Sequence, residues 1–199
     1  MATKHDQNRA EKRDRLVRAA VDAFTETGYE NTTVSDVVRR AGMTPSTFYN
    51  YYRDKDALRD ELLDGAAVQL LAGLAVIRKH AGSVEEFVRL ACKGLFAGMV
   101  QDRTNAALLK RNLPMLRSLV DSKSLQPVYA AIRSDISRAA ERGLLQPIDA
   151  ELATAVVRAS VLEIGVALLL HPGSDVDTAI EFATRSLASA LQAVAQPGD

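Results

Sequence analysis

Hydrogen-bonding side chains cluster in one short stretch of the sequence, at Ser46, Thr47, Tyr49 and Asn50. Hydroxyl and amide groups of this size suit the edges of DNA bases and the oxygens of phosphates, and a tyrosine ring can also contact thymine methyl groups. The apolar residue among them, Phe48, should point the opposite way, into a protein core. We therefore expect a short helix that presents a polar face to nucleic acid.

The surroundings of this stretch are basic, although the chain as a whole has a formal net charge of zero. From residue 39 to residue 55 there are four basic side chains and one acidic side chain. Residues 1–20 add six basic and three acidic side chains. Because the phosphate backbone of DNA attracts local positive charge, this distribution favours a nucleic-acid partner where the net charge alone does not.

Two short helices separated by a tight turn are predicted to position the polar side chains. Thr33 is a suitable N-cap for the first helix, and Asp36 three residues later completes an approximate capping box. Gly42 supplies the left-handed residue that ends this helix. Thr44 and Pro45 then open the second helix, as N-cap and first helical residue. Two helices joined by such a Gly-containing turn form a helix-turn-helix, whose second helix enters the major groove of DNA.

A longer helix is predicted to start directly afterwards, with Asp54 as its N-cap and Lys55 in its first turn. The helix macrodipole disfavours a cation at this position. A phosphate bound at the helix start would reverse the penalty, so we expect Lys55 to contact the DNA backbone.

The run from Thr33 to Leu58 resembles the DNA-binding signature of the TetR family of bacterial transcriptional regulators. The shared pattern is a Thr-led helix, an Ala-Gly-hydrophobic-Ser/Thr turn, a recognition helix of Thr-hydrophobic-Tyr type, and Lys and Leu opening the next helix. The residues expected to contact DNA are Thr33, Arg39, Thr44, Ser46, Thr47, Tyr49, Asn50, Tyr51 and Lys55. The resemblance implies a homodimeric transcriptional regulator, a repressor, that binds a double-stranded palindromic operator and is released or modulated by a small effector.

Three positions depart from the family pattern. Pro45 stands where a polar or basic residue is common, which removes one possible DNA contact. Tyr51 stands where His is frequent, and Tyr52 where Phe is usual. Tyr52 should fill the same core position, and its hydroxyl then needs a partner or solvent.

The expected fold is all-α, with a three-helix helix-turn-helix domain at residues 1–50 and an antiparallel helical bundle at residues 51–199. About nine helices are predicted from the apolar periodicity. Residues 1–7 are interpreted as a disordered arm, followed by a helix over residues 8–27. A helix over residues 55–80 should belong to both domains and span roughly 35–40 Å, which makes it the natural lever between them.

The second domain is predicted to contain several further helices. One opens with the capping box of Ser83 and Glu86. Pro114 should kink or break the chain that follows. Later helices are expected over residues 124–142, over 149–170, and from a cap at Ser174 or Asp175 through Val194.

The helix over residues 149–170 carries more apolar surface than one covered face of a monomer needs. Paired with the last helix, it suggests a four-helix seam between two subunits, and the alternative is burial inside the core of a single subunit. A two-fold dimer would offer two recognition helices to half-sites about 34–36 Å apart.

The resemblance also implies an effector site in the second domain. The candidates are Phe96, Met99, Met115, Tyr129 and Glu163, whose adaptable thioethers and aromatic rings suit a lipophilic molecule. Each of them can equally be an ordinary core residue. Glu163 lies in an apolar run and needs a partner, either Arg158 or an Arg of a second subunit, so it is either a structural ion pair or a ligand contact.

Composition excludes several classes of protein. Cys92 is the single cysteine, which rules out an intrachain disulfide, fits a reducing cytoplasm and suggests a small core residue rather than a redox sensor. No signal peptide or run of about 18 uncharged apolar residues is visible, so a membrane partner is not expected.

No enzyme class is indicated either. Three scattered histidines and one cysteine lack metal-site spacing, and neither a metal nor a cofactor is expected. No nucleophile–base pair, Gly-rich phosphate loop or pair of carboxylates appears at recognisable spacing. The remaining alternative is a helical interaction or ligand-binding module without DNA binding.

Overall fold

The computed structural model describes residues 4–118, 121–171 and 173–193. Within these ranges the chain forms ten α-helices and one 3-10 helix, with no strand, which confirms the all-α class. The helices are α1 (Lys4–Thr27), α2 (Val34–Ala41), α3 (Pro45–Tyr49), α4 (Lys55–His80), α5 (Val84–Val100), α6 (Arg103–Arg111), α7 (Leu113–Ser118), α8 (Gln126–Glu141), α9 (Ala150–Leu170) and α10 (Val176–Ala193). A 3-10 helix at Lys123–Leu125 precedes α8.

The first hydrophobic core lies among α1, α2, α3 and the start of α4. Leu16 and Phe24 of α1 pack with Val37, Phe48 and Leu58, and all five side chains are almost completely buried. Since Leu58 already belongs to α4, the core of the small domain extends past residue 50. The division of the chain at that residue stays a prediction.

The first helix begins earlier than the sequence predicted. Residues 4–7 are helical rather than part of an arm, so α1 starts at Lys4 and not near Asn8. The segment contains no Gly or Pro, and Asp6 in the first turn interacts favourably with the helix dipole. Residues 1–3 lie outside the described part of the chain.

The second hydrophobic core is built by α5, α9 and α10. Phe96, Met99, Leu169 and Leu187 are buried there together with Cys92, which is 3% exposed. Burial raises the pKa of the Cys92 thiol to about 11, so the expected role as a small core residue is confirmed. Gly165 of α9 leaves room for the thioether of Met99, because a Cβ there would lie 2.6 Å from Met99 Sδ.

The long helix α4 connects the two cores and has the predicted bounds. Leu58 packs in the first core, and Arg78 near its other end pairs with Asp135 of α8 at 2.7 Å. Asp54 caps the helix by accepting from Ala57 N at 2.7 Å.

The chain after α5 is broken near Pro114, as the sequence predicted. Asn112 separates α6 from α7, and Pro114 occupies the first turn of α7, where its missing N–H costs little. Pro127 is tolerated in the same way at the start of α8. Asp175, rather than Ser174, is the cap of α10, because its carboxylate accepts from the backbone N–H groups of residues 177 and 178. Pro172 and Val194 lie outside the described residues.

An unusually exposed apolar surface remains on α9. An 18-residue window of this helix has a mean hydropathy of 1.9, yet only 33% of the window is buried. By length and composition alone, α9 could cross a membrane. One such helix is weak evidence for a membrane, because core helices have the same composition. Leu152 is 67% exposed and Val156 48%, and Phe182 on the neighbouring helix α10 is 58% exposed.

Candidate nucleic-acid interface

The short helix α3 presents its polar face to solvent because one apolar residue anchors it. Phe48 is 0% exposed and packs edge-on against the neighbouring ring of Tyr49, with ring centroids 5.5 Å apart. Tyr49 itself is 58% exposed, and Ser46 and Asn50 are exposed beside it. The orientation predicted for this helix is therefore confirmed.

Local hydrogen bonds fix the turn that holds α3 against α2. Thr33 and Asp36 form the predicted capping box, with both hydrogen bonds present. Gly42 has a φ of 62°, in the left-handed region that side chains rarely adopt, and ends α2 as expected. The Arg15 side chain of α1 donates to the Ala41 carbonyl at the same turn. Thr44 then caps α3 by accepting from Thr47 N at 3.3 Å.

Two of the predicted DNA contacts have hydroxyl groups that already serve the helix caps. Thr33 Oγ1 donates to Asp36 at 2.6 Å, and this bond lowers the pKa of the Asp36 carboxyl. Thr44 Oγ1 lies 3.0 Å from Thr47 Oγ1. Both residues are exposed, so their hydroxyls face solvent while holding the caps.

Arg39 remains available on the surface of α2. Its side chain is 76% exposed and pairs with Asp36 at 2.8 Å across one helical turn. Exposed pairs of this kind contribute little free energy, so a phosphate can replace the carboxylate at low cost.

An arginine of α1 joins the interface without having been predicted. The Arg9 guanidinium lies over the ring of Tyr51, 5.9 Å from its centroid. Arg9 is exposed and Tyr51 half-buried, so the ring holds a cation beside the end of α3. Only the basic excess of residues 1–20 pointed to this side chain.

The ammonium group of Lys55 has partners inside the protein, which the sequence did not indicate. Lys55 Nζ donates to the carbonyl oxygens of Tyr29 at 2.6 Å and Thr32 at 2.9 Å, and lies 4.2 Å from the centroid of the Tyr29 ring. The penalty for a cation at the start of α4 is thus offset by carbonyls of the loop between α1 and α2. Phosphate binding by Lys55 stays a prediction, and it competes with this structural role.

Replacement of Lys55 tests the two roles separately. Lys55→Met is expected to lower the free energy of unfolding by about 1–3 kcal/mol, because a charged donor to buried carbonyls is lost. Urea denaturation measures this effect, with the exposed Lys93→Met as control. If Lys55 also binds a phosphate, the slope of log affinity for DNA against log salt falls by about 0.9. An unchanged slope would remove Lys55 from the interface.

A second group of contacts ties the helix-turn-helix domain to the bundle through Asn112. This side chain is 4% exposed and lies between α6 and α7. Its Oδ1 accepts from Tyr29 N at 2.6 Å, and its Nδ2 donates to Phe24 O at 3.0 Å and Leu108 O at 2.7 Å. The neighbouring Arg111 donates to Glu26 O at 2.8 Å. The end of α1 is therefore bonded directly to the α6–α7 junction.

Tyr29 joins this junction to the start of α4. Its hydroxyl donates to Asp56, and the Arg59 guanidinium lies 5.3 Å from the ring centroid. Burial raises the pKa of the Tyr29 hydroxyl, so the phenol stays protonated and can act as a donor. With Lys55 and Asn112 on either side, Tyr29 contacts elements of both domains.

The five effector candidates do not meet in one cavity. Phe96 and Met99 fill the second core, whereas Met115 packs against the first core. Tyr129 lines a cleft between α8 and α9, and Glu163 lies exposed on α9.

Of the two predicted partners of Glu163, Arg158 was wrong. Its carboxylate pairs with Arg117 of α7 at 3.0 Å, and this bond lowers the pKa of the Glu163 carboxyl. Arg158 pairs instead with Asp121, at 3.2 Å. Because Glu163 and Arg117 are both more than half exposed, the carboxylate is not an isolated buried charge, and the alternative of an Arg from a second subunit is not required.

The fold and this interface together define an all-helical protein with an N-terminal helix-turn-helix domain joined to a helical bundle. Residues 16–62 match the sequence profile of bacterial regulatory proteins of the TetR family. The crystal structure of the transcriptional regulator FadR from Bacillus subtilis in complex with stearoyl-CoA has the same fold. Its TM-score is 0.77 at 19% identity, over 88% of this chain and 97% of that one. Residues 16–62 therefore carry the helix-turn-helix domain of the TetR family.

Sequence relatives match over shorter segments. The HTH-type transcriptional regulator YdgC of Bacillus subtilis is 40% identical over 53 residues, which are 27% of either chain. The HTH-type transcriptional regulator BetI of Pectobacterium carotovorum is 27% identical over 115 residues, 57% of this chain and 58% of BetI. The chain thus spans less than two thirds of the length of these relatives.

Proposed function

We propose that the protein is a sequence-specific DNA-binding transcriptional regulator, acting as a repressor in the cytoplasm. The observation that carries the proposal is the exposed polar face of α3, held in place by the buried Phe48 and by two capped helix starts. A rigid frame under short hydrogen-bonding side chains is what reading of base edges requires. The relatives that share this domain are named as HTH-type transcriptional regulators.

The individual DNA contacts divide into two groups. We assign base reading to Thr47 and Asn50, and backbone contacts to Tyr49, Arg39 and the neighbouring basic side chains. Base contacts carry specificity, whereas phosphate contacts set affinity and salt dependence. Thr33, Thr44, Ser46 and Tyr51 complete the proposed interface.

The regulator is proposed to act as a homodimer on a palindromic operator. The exposed apolar residues Leu152 and Val156 of α9 and Phe182 of α10 support this assembly, since a monomer leaves them in water. Two copies paired through α9 and α10 would form the four-helix seam and present two recognition helices.

A small effector is proposed to change the affinity for DNA. FadR, which shares the fold, was crystallised with stearoyl-CoA, and the effector proposed for the present chain is likewise lipophilic. Binding in the bundle would favour one of two conformers that differ in the separation of the recognition helices. Both α4 and the Asn112 junction connect the bundle to the helix-turn-helix domain, so we assign the transmission to the two together.

Mobility-shift titration tests the proposal. We expect the protein to bind duplex DNA with an affinity that falls steeply with salt, and to select one palindromic sequence from a random pool. Asn50→Ala should cost about 1–3 kcal/mol on that sequence and much less on random duplex. The matched control, Asn105→Ala, replaces a partly exposed asparagine of α6.

Two outcomes would contradict the proposal. Absence of binding in dilute buffer would favour the helical ligand-binding module without DNA binding. Equal losses for Asn50→Ala on selected and random DNA would show that this residue does not read bases.

A further inference from the structure

A cleft of about 240 Å³ lies between α8 and α9 and contains two arginines. Tyr129 and Arg133 line it from α8, four residues apart and therefore on one helix face. Thr154 and Arg158 line it from α9 with the same spacing. Each helix thus contributes one guanidinium group to the same cleft, whereas the Thr154 hydroxyl already donates to Ala150 O at 2.6 Å.

Both guanidinium groups are held loosely by exposed carboxylates. Arg133 pairs with Glu151 at 2.5 Å and Arg158 with Asp121 at 3.2 Å, and the two carboxylate side chains are 73% and 86% exposed. Each arginine donates to its carboxylate through a single guanidinium nitrogen. The other N–H donors of that guanidinium take no part in the ion pair. Exposed ion pairs are worth about 0–1 kcal/mol, so a bound anion can replace either carboxylate easily.

Tyr129 orients one of these arginines over the cleft. The Arg158 guanidinium lies 5.3 Å from the centroid of the Tyr129 ring, close enough for a cation–π contact. Tyr129 is half-buried, and burial raises the pKa of its hydroxyl, so the phenol stays a neutral donor.

From this arrangement we infer that the cleft binds a small anionic group, a carboxylate or a phosphate, between Arg133 and Arg158. Planar guanidinium groups match both anions through paired hydrogen bonds. The volume is below the roughly 300–1,000 Å³ typical of drug-sized ligands, so the cleft accommodates an acidic head group rather than a whole lipophilic molecule. An acidic effector would give the proposed regulator its ligand class, and in that respect the inference rests on the proposed function.

The cleft stays accessible in the proposed dimer. At about 100° per residue, Leu152 and Val156 lie roughly a quarter of a turn around α9 from Glu151 and Ala155, which line the cleft. A partner subunit packed on Leu152 and Val156 therefore leaves the arginines open to solvent.

Calorimetric titration of the full chain without DNA tests the inference. The probes are acetate, inorganic phosphate and the neutral isostere acetamide, at constant ionic strength. We expect saturable binding of acetate or phosphate and none of acetamide, and the tighter of the two anions identifies the head group. Arg158→Gln and Arg133→Gln should each weaken binding at least about tenfold, because one bidentate partner is lost.

Matched variants separate this result from general effects of charge. Arg138→Gln removes an exposed, ion-paired arginine of α8 outside the cleft and should leave anion binding unchanged. Tyr129→Phe should weaken it by a smaller factor, and circular dichroism checks that each variant is folded. The inference is overturned if acetamide binds with the same affinity as acetate. It is also overturned if Arg158→Gln binds the anion as tightly as the unaltered chain does. Since no DNA is present, either outcome is independent of operator binding.

Discussion

Asn112→Leu is expected to lower the free energy of unfolding by about 2–4 kcal/mol, a large effect for one side chain of nearly conserved volume. Leucine fills the space but cannot accept from Tyr29 N, which is then left unpaired in a buried site. It also loses the donors to Phe24 O and Leu108 O. Both of those carbonyls keep a second backbone donor, so most of the cost comes from the Tyr29 N–H.

Urea denaturation and amide hydrogen exchange measure the effect. The Tyr29 amide should exchange faster in the variant, since its protection depends on the Asn112 side chain. Asn105→Leu is the matched control, because Asn105 also donates to a backbone carbonyl, that of Gly98, but is only partly buried. Equal destabilisation by the two substitutions would show that Asn112 has no special structural role.

The same substitution should weaken communication between the domains. Asn112 and Arg111 bond the α6–α7 junction to the end of α1, Met115 of α7 packs against the first core, and α4 connects the two cores. If the junction carries the signal, the DNA affinity of Asn112→Leu should respond less to effector than that of the unaltered chain, at temperatures where both are folded. An undiminished response would assign the transmission to α4 alone.

Sequence reasoning succeeded where the deciding contacts are local. The caps made by Thr33, Thr44 and Asp54 depend on hydrogen bonds that span three residues, so residue type and spacing determine them. The break around Pro114 and the left-handed Gly42 follow from backbone sterics of single residues. The bounds of α4 were obtained for the same reason, since Asp54 and Ala81–Gly82 delimit it.

Contacts between distant residues explain what the sequence did not reveal. Asn112 and Tyr29 are 83 positions apart, and Glu163 and Arg117 are 46 apart. Helical periodicity predicts which face of a helix is apolar but not which helix covers it. Met115 therefore appeared to be a candidate for the effector site, although α7 places it against the first core. For Lys55, the dipole argument identified an unfavourable charge, and the loop carbonyls that offset it belong to residues more than 20 positions away.

Phe182→Glu is expected to convert the proposed dimer into a monomer and to lower the affinity for a palindromic operator by about 100-fold or more. A glutamate in a dry seam loses hydration without gaining a partner, and its counterpart in the second subunit repels it. The loss of DNA affinity follows because two linked recognition helices bind with an avidity of about 10²–10⁴ over one. Val156→Glu on α9 should act in the same way, since both side chains are exposed in a single chain.

Sedimentation velocity measures whether each variant is a dimer, and a mobility-shift titration of the same preparation measures its affinity for DNA. The control is Leu144→Glu, because Leu144 is 60% exposed and lies in the connection between α8 and α9. Leu144→Glu should remain dimeric with full DNA affinity. A dimer that survives both Phe182→Glu and Val156→Glu would place the subunit contact elsewhere, and a monomeric Leu144→Glu would show that any added charge suffices. A seam of α9 and α10 is supported only if Phe182→Glu and Val156→Glu dissociate the dimer and Leu144→Glu does not. The three substitutions introduce the same charge at exposed apolar sites, so they differ only in position.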